Sequence, residues 1–300
     1  MPELPEVENV RMTLARHLLG RRVVAVDLRR ADVVTGSRTP AALLQGQRIA
    51  RLTRHGKQLA IVGDTRCLCV HLGMSGSLQI AKPHHHINPL ESCATAIAGD
   101  ALKHVHALWQ FDDGSTLEFR DPRRFGGLWT FASEQALHAT RWAGLGEDAL
   151  RITPARLHRQ LQATRRPLKA ALLDQTLVAG LGNIYVDELL FTARLSPLRP
   201  AYTLTGPETA SLVRHMRTLL ARAIAAGGST LRDYVNGEGD PGGYQFRHRV
   251  YGRAGLRCRR RHCRGVVHTR LIAGRTTASC PRCQPDPTSA RLPALLVERR

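Results

Sequence analysis

Four cysteines near the carboxyl end have the spacing of a metal site. They form two pairs, Cys258-x4-Cys263 and Cys280-x2-Cys283, with sixteen residues between the pairs. Two such pairs of thiolates are typical ligands of tetrahedral zinc, and a module this short needs a bound metal to fold. The pattern therefore predicts one structural zinc ion on these four sulfurs, with His262 as an alternative ligand to Cys263. The remaining cysteines are scattered, and we expect them to be small buried hydrophobic residues: Cys67, Cys69 and Cys93.

The amino terminus offers a second kind of chemistry. Met1 precedes Pro2, and an initiator methionine is normally removed before a residue as small as proline. Its removal would leave a secondary amine with a pKa of about 8, so that a sizeable neutral fraction exists at pH 7. A neutral amine is the nucleophile of Schiff-base chemistry, and the neighbouring Glu3 could transfer protons. The alternative is that Pro2 simply begins a helix, as it does in most proteins that start with Met-Pro.

The charge of the chain favours a polyanionic partner. The net charge is +20 and the sequence pI is about 11.0, and such a surface most often binds nucleic acid. Eleven arginines and no acidic residue lie between Pro241 and Cys283. A generally arginine-rich proteome is the alternative explanation. Because no run approaches the roughly 18 apolar residues of a membrane span, and the start lacks an apolar signal core, we expect a soluble intracellular protein.

The hydrophobic pattern predicts one helix, then strands, then more helices. Val7, Val10, Leu14 and Leu18 recur at helical spacing, which predicts a helix over 4–19. Short apolar runs separated by turn signals follow, as in an all-β sandwich or barrel. These runs are 23–28, 49–53, 59–62, 67–72, 77–80, 106–111, 116–120 and 127–131. Helices are then predicted at 154–163, 168–175, 183–194 and 207–226.

Two segments are predicted to be irregular. Residues 82–102, with the triplet His84–His86, are expected to form a surface loop. Residues 228–247 are rich in glycine and polar residues, which favours a mobile loop.

Six motifs, taken in order, resemble the bacterial formamidopyrimidine-DNA glycosylase (Fpg) family. Any one of them alone would be a weak signal, but six at compatible distances across nearly the whole chain are specific. They are PELPEVE at 2–8, RHGKQL at 54–59, HLGMSG at 71–76, DPRRFG at 121–126, LDQTLVAGLGNIYVDE at 173–188, and VYGR…GRTT…CPRCQ at 250–284.

The resemblance implies an α+β fold in four parts. An N-terminal helix and a two-layer β-sandwich would occupy 1–132. A helical domain with a helix-two-turn-helix and a lesion-covering loop would occupy 133–247. A C-terminal β-hairpin zinc finger would span 248–284, with a tail at 285–300. DNA would lie in the cleft between the domains.

The activity implied is that of a bifunctional DNA glycosylase and AP lyase of base excision repair. Its substrate would be double-stranded DNA that contains oxidised purines, namely 8-oxoguanine and formamidopyrimidines. No nucleotide cofactor is implied, because imine chemistry and elimination need none. We expect a monomer in the bacterial cytoplasm, associated with the nucleoid.

The resemblance also implies catalytic roles. Pro2 would attack C1′ of the damaged nucleotide, expelling the base and leaving an imine, with Glu3 as general acid. Lys57 would lie near a phosphate and donate a proton during β-elimination. Arg275 at the finger tip would hold the phosphate beside the lesion and assist δ-elimination, a task that suits its planar guanidinium group. Glu6 is expected to be structural, as an acid in a first helical turn.

Other residues match DNA contacts of the family. Removing a base from the stack leaves a gap that must be filled, and Met74, Arg123 and Phe125 match the void-filling residues. Arg123 would hydrogen-bond the orphaned cytosine. Asn183 opens a predicted helix, which is a natural phosphate site, although plain N-capping would also explain it. Backbone contacts are implied for His104, Arg123, Arg165 and Lys169.

The chain departs from the family at three places. Its first cysteine pair has the spacing Cys-x4-Cys where the family commonly has Cys-x2-Cys. Arg165 stands where lysine is more usual. The segment 228–246 resembles the lesion-covering loop, but its aromatic end is rearranged.

Two other functions remain open at this point. The related endonuclease VIII type prefers oxidised pyrimidines, and PELPEVE and HLGMSG argue against it. A non-catalytic zinc protein that senses DNA damage would need neither Pro2, Glu3 nor Lys57, and their presence argues against such a protein.

Overall fold

A computed structural model of the chain describes residues 2–81 and 103–286. These residues fall into two compact units. The first unit comprises 2–81, 103–144 and 223–245, and the second comprises 145–222 and 246–286. The predicted loop with His84–His86 and Cys93 lies outside the described residues, as do residues 287–300 of the predicted tail.

The first unit begins with helix α1 (Leu4–Leu18) and continues as two facing sheets. The strands are β1 (Val23–Leu28), β2 (Val34–Thr35), β3 (Arg51–His55), β4 (Gln58–Val62), β5 (Cys67–His71), β6 (Ser77–Ala81), β7 (Val105–Phe111), β8 (Thr116–Arg120) and β9 (Gly127–Phe131). One sheet has the order β1-β7-β8-β6, and the other has the order β2-β9-β5-β4-β3. All neighbours are antiparallel except β2 and β9.

The predicted helix and β-sandwich are confirmed. Val7, Val10, Leu14 and Leu18 are all buried in the same apolar core as the inward faces of the strands, because residues spaced by three or four share one face of a helix. The strand expected at 49–53 is found two residues later, at Arg51–His55. Short elements of this unit were missed because they hold too few residues to show a period. Among them are β2 and α2 (Glu134–Ala139), whose N-cap is Ser133.

The second unit holds the remaining helices and a β-hairpin. Its helices lie within two residues of their predicted bounds. The last of them begins with a capping box, since Thr205 and Glu208 exchange hydrogen bonds. The helices are α3 (Pro154–Gln162), α4 (Leu168–Leu173), α5 (Asn183–Ala193) and α6 (Gly206–Ala225), whose last turn belongs to the first unit. The strands are the parallel pair β10 (Glu147–Asp148) and β11 (Val178–Ala179), and the hairpin β12 (His268–Ile272) and β13 (Arg275–Ser279).

The segment after α6 is a loop closed at a narrow neck. The backbone N–H groups of Gly243 and Tyr244 donate to the carbonyls of Ala226 and Gly228, both at 2.8 Å. A Cβ on Gly242 would lie 2.3 Å from the Gly228 carbonyl oxygen, so this neck requires glycine. The loop expected at 228–247 is therefore present, although its last four residues, Tyr244–Arg247, form a turn of 3₁₀ helix.

Candidate active site and DNA-binding residues

The start of the chain is fixed by the Glu6 carboxylate. Pro2 and Glu3 are buried, and Glu3 is the N-cap of α1. The backbone N–H of Glu3 donates to one oxygen of Glu6 at 2.8 Å, and the backbone N–H of Ser229 donates to the other at 2.7 Å. The structural role expected of Glu6 is confirmed, and it includes a link to the neck of the loop that the sequence did not reveal.

A second chain of contacts joins α1 to the turn that carries Lys57. Glu8 on α1 accepts from Arg54 Nε at 2.7 Å, and Arg54 Nη1 donates to the Gly56 carbonyl at 2.9 Å. Burial disfavours the Glu8 carboxylate, but hydrogen bonds from Arg11 and Arg54 outweigh it and lower the pKa of Glu8. Glu8 and Arg54 lie inside quoted motifs, yet sequence reasoning missed their pairing because they are 46 residues apart.

Lys57 itself lies between β3 and β4 and is only 8% exposed. Nearby His71 on β5 accepts a 3.3 Å hydrogen bond at Nδ1 from the Gly73 backbone. Burial, and then the positive charges of Arg141 and Lys57, lower the pKa of His71 to about 4. His71 is therefore neutral at pH 7, and adds no charge beside Lys57.

The three predicted void-filling residues lie on two turns of the first unit. Met74 is 40% exposed and lies between β5 and β6, whereas Arg123 and Phe125 lie between β8 and β9. Phe125 is 54% exposed, and the Arg123 guanidinium carbon lies 4.7 Å from the centre of its ring. Exposed apolar side chains of this size are the kind that insert between base pairs. His104 is also exposed, just before β7.

In the second unit, Asn183 does not cap its own helix. The N-cap of α5 is Gly182, and the Asn183 side-chain amide donates to the Thr276 carbonyl on β13 at 3.0 Å. The N-capping interpretation of Asn183 is therefore wrong.

Arg275 is exposed at the start of β13. It directly follows the turn Ala273-Gly274, in which both residues have positive φ. Arg165 is likewise exposed.

Lys169 lies in a different environment from the one expected. It is fully buried, and its Nζ donates to Asp187 Oδ1 at 2.7 Å and to the Thr276 carbonyl at 3.2 Å. The other Asp187 oxygen accepts the Ala278 backbone N–H at 2.8 Å. Burial raises the pKa of Asp187 to about 6, and the charge of Lys169 opposes this shift. The pair therefore supports β13 from inside the second unit, and the contact of Lys169 with DNA stays a prediction.

Single and paired substitutions separate these two roles for Lys169. Lys169→Met should lower the free energy of unfolding by about 3–5 kcal/mol because it leaves a buried carboxylate without its partner. Lys169→Met with Asp187→Leu should recover most of that loss in urea unfolding. In the double variant, the slope of log K for DNA against log salt should equal that of the wild type, since a buried lysine releases no counterion.

The matched control is Arg165→Met, which removes an exposed cation. The slope of its log K against log salt should become less steep by about 0.9, the value expected for one phosphate contact. A double variant with a slope reduced by that amount, or with the stability of Lys169→Met alone, would contradict the internal role.

The four predicted metal ligands come together in the second unit. Their sulfur atoms all lie within 4.8 Å of one another, and three of the separations are 3.8, 3.8 and 3.5 Å. A tetrahedron with metal–sulfur bonds of about 2.3 Å has edges of about 3.8 Å. The donor set therefore fits a tetrahedral metal ion. His262 is absent from this cluster among the described residues, so the alternative ligand is wrong.

The longer spacing of the first cysteine pair leaves the ligand turns intact. The backbone N–H groups of Arg260 and Gly265 each approach a cysteine sulfur two residues earlier at 3.4 Å. A Cβ on Gly265 would lie 2.8 Å from the Cys280 sulfur, which explains the glycine. The module also packs on α5 through Phe191.

Glu188 is an anchoring residue that sequence reasoning missed. It is buried on α5, and its carboxylate accepts the backbone N–H groups of Arg249, Val250 and Tyr251 at 2.8–2.9 Å. Burial raises its pKa. An acid inside the apolar run of α5 was the signal that could have identified it, since such an acid needs partners.

Within the described residues, no helix has the length and apolar character needed to cross a membrane.

Comparisons with known proteins agree with this arrangement. Residues 1–128 match the formamidopyrimidine-DNA glycosylase N-terminal domain, and residues 145–235 match the H2TH domain of the same enzymes. The chain is 40% identical over 289 residues to the formamidopyrimidine-DNA glycosylase of Geobacillus kaustophilus, covering 95% of this chain and all of that one. It is 42% identical over 302 residues to that of Methylobacterium sp. strain 4-46, with 96% and 100% covered.

Solved structures give the same result. The crystal structure of the MutM (Fpg) protein of Thermus thermophilus superposes with a TM-score of 0.78 at 40% identity, covering 94% of this chain and 98% of that one. The Lactococcus lactis Fpg in complex with abasic-site DNA superposes with a TM-score of 0.81 at 30% identity, with 95% and 100% covered. The chain therefore belongs to the formamidopyrimidine-DNA glycosylase family, and it is a DNA glycosylase of base excision repair.

Proposed function

We propose that the protein excises oxidised purines from double-stranded DNA through a covalent intermediate on Pro2, and then cleaves the strand. The observation that carries this proposal is the anchoring of the chain start. Glu6 holds the backbone of Glu3 and that of Ser229, so the residues beside the reactive amine lie at the buried start of a helix. A flexible terminus could not place a nucleophile with the precision that catalysis needs.

The substrate class is supported by the relatives. Solved complexes of the Lactococcus lactis Fpg contain DNA with Fapy-dG or with an abasic site. Fapy-dG is an oxidised purine that the enzyme would excise, and an abasic site is the product of base removal. We carry both over to this chain as its proposed substrates.

Base removal begins with the secondary amine that is exposed when Met1 is removed. The neutral nitrogen of Pro2 attacks C1′, and the bond from C1′ to the base breaks as the new bond forms. The departing base takes up a proton and the Pro2 nitrogen gives up its own. The sugar ring then opens as O4′ is protonated, leaving a cationic imine (an iminium ion) between Pro2 and C1′. Glu3 is the proposed general acid, a role that its position next to Pro2 supports.

Strand cleavage follows from the imine by two eliminations. Loss of a proton at C2′ expels the 3′ phosphate, and a second elimination expels the 5′ phosphate. Lys57 is proposed to donate a proton in the first elimination, and Arg275 is proposed to hold the phosphate beside the lesion. The exposure of Arg275 at the tip of its hairpin is compatible with that contact.

The metal is proposed to be one structural zinc ion on Cys258, Cys263, Cys280 and Cys283. Four thiolates are a set that zinc prefers, and they leave no open position for catalysis. The ion would hold the module that presents Arg275. We further propose that the protein acts as a monomer in the bacterial cytoplasm, where its DNA substrate lies in the nucleoid, and that it needs no nucleotide cofactor.

Paired lesions test the proposed substrate. Excision from a duplex with 8-oxoguanine opposite cytosine should exceed excision from a matched thymine-glycol duplex by about tenfold or more, the scale of discrimination by a few polar contacts. The measurement is single-turnover rate on both duplexes at equal salt. A clear preference for thymine glycol would assign the protein the endonuclease VIII type of specificity instead.

A further inference from the structure

Asp121 is a buried carboxylate that joins two separate turns of the first unit. It is fully buried at the end of β8. Its Oδ1 accepts the Ser75 hydroxyl at 2.7 Å, and its Oδ2 accepts the Gly126 backbone N–H at 2.7 Å. Ser75 adjoins Met74 on one turn, whereas Gly126 adjoins Phe125 on the other. One carboxylate therefore bridges the turn over 72–76 and the turn over 121–126.

The backbones of the two turns are also in direct contact. A Cβ on Gly73, which has a φ of +61°, would lie 2.3 Å from the Gly126 nitrogen. A Cβ on Gly126 would lie 2.5 Å from the His71 carbonyl oxygen. Neither turn could carry a side chain at these points without separating from the other. The contact requires both glycines, and the carboxylate holds the two turns in register.

The main chain of Asp121 is held in turn by β7 and the residue before it. Its N–H donates to the His104 carbonyl at 3.1 Å, and its carbonyl lies 2.8 Å from His106 Nε2. The backbone of the bridging residue is thus anchored to the sheet, which gives both turns a fixed reference position. The Arg123 backbone N–H also donates to Oδ1, at 3.3 Å, so the carboxylate has three donors. Hydrogen bonds to an ionised acceptor are stronger than those to a neutral one.

We propose that Asp121 is a positioning residue that couples Met74 to Arg123 and Phe125, so that the three side chains enter the duplex as one rigid body. This inference rests on the void-filling role proposed for them. Without the bridge, each turn would have to enter the gap in the base stack independently. The excision rate would then fall on duplex substrates, in which a base must be extruded. Cleavage of single-stranded DNA at an abasic site would not depend on the Asp121 bridge.

The most selective test is Ser75→Ala, which removes the hydrogen bond between Asp121 and the Met74 turn and leaves the Asp121 contacts with Arg123 and Gly126 in place. Its excision of 8-oxoguanine opposite cytosine should fall about tenfold, the scale of one hydrogen bond to a charged group. Cleavage of a single-stranded abasic oligonucleotide should stay within about twofold of wild type. The matched control is Ser115→Ala, which removes another serine–aspartate hydrogen bond, of 2.6 Å, from the same unit and should change neither rate.

Two further variants keep the outcome decisive. Asp121→Asn should also lower the rate of 8-oxoguanine excision from duplex DNA. Its excision rate with cytosine opposite the lesion should approach its rate with adenine opposite, because Arg123 is no longer held in place. In a Met74→Ala background, Ser75→Ala should have little further effect, since the coupling then has nothing to position. Unchanged duplex excision in Ser75→Ala, or an equal loss on single-stranded abasic DNA, would overturn the inference. A wild type that leaves 8-oxoguanine untouched would refute the proposed function instead.

Discussion

A protein that keeps one residue ahead of Pro2 is expected to lose base excision and strand cleavage by about 10³-fold or more, the scale of losing a catalytic nucleophile. An added residue converts the secondary amine of proline into an amide, whose nitrogen has no free electron pair to attack C1′. Binding to DNA with an uncleavable abasic analogue should remain within about threefold, because phosphate contacts supply most of the affinity. Single-turnover rates and equilibrium binding on the same preparation check both expectations.

The control is the same protein with Pro2 at its terminus, established by mass spectrometry of the intact chain. A second control is Lys57→Met, which keeps the amine but removes a side chain proposed to serve strand cleavage. It should reduce strand cleavage more than base excision. Normal turnover by the extended protein would contradict the assignment of Pro2.

Loss of one cysteine of the metal cluster is expected to unfold the C-terminal module. Cys280→Ser replaces a fully buried thiolate, and structural zinc contributes about 10–16 kcal/mol in isolated fingers near pH 7. The small apolar cluster around the sulfurs cannot replace that energy. Affinity for DNA should therefore fall by about 100-fold or more, as Arg275 and its arginine-rich surroundings lose their order and their phosphate contacts.

The matched control is Cys67→Ala, because Cys67 is a buried cysteine of the sandwich that lies outside the cluster. It should leave the metal content at one ion per chain and alter DNA affinity little. Metal analysis after dialysis and titration with labelled duplex are the measurements. A Cys280→Ser protein that retains both one equivalent of metal and full affinity would show that the cluster is not a structural metal site.

The elements that the sequence predicted well are those whose signal is local. The period of Val7, Val10, Leu14 and Leu18 identified α1 because each of these residues packs into the same core. The pairing of the cysteines identified the metal site because its ligands lie within 26 residues of one another.

The contacts that sequence reasoning missed join residues far apart in the chain. Glu6 and Ser229 are 223 residues apart, and Ser75 and Asp121 are 46 apart. No pattern along the chain records such a pair, because only the fold brings its members together. Lys169 was predicted to contact the DNA backbone because it matches a family position, and that match does not reveal that its side chain is buried. Asp187, which makes burial tolerable, lies on the next helix and gives no periodic signal.

The most direct test of the central claim is to trap the intermediate with borohydride during reaction with an 8-oxoguanine duplex. Reduction of the imine would leave a stable bond between protein and DNA. Digestion and mass spectrometry should then find the DNA remnant on the peptide that begins with Pro2. Absence of a trapped adduct in active protein, or a remnant on a lysine such as Lys57, would contradict the account.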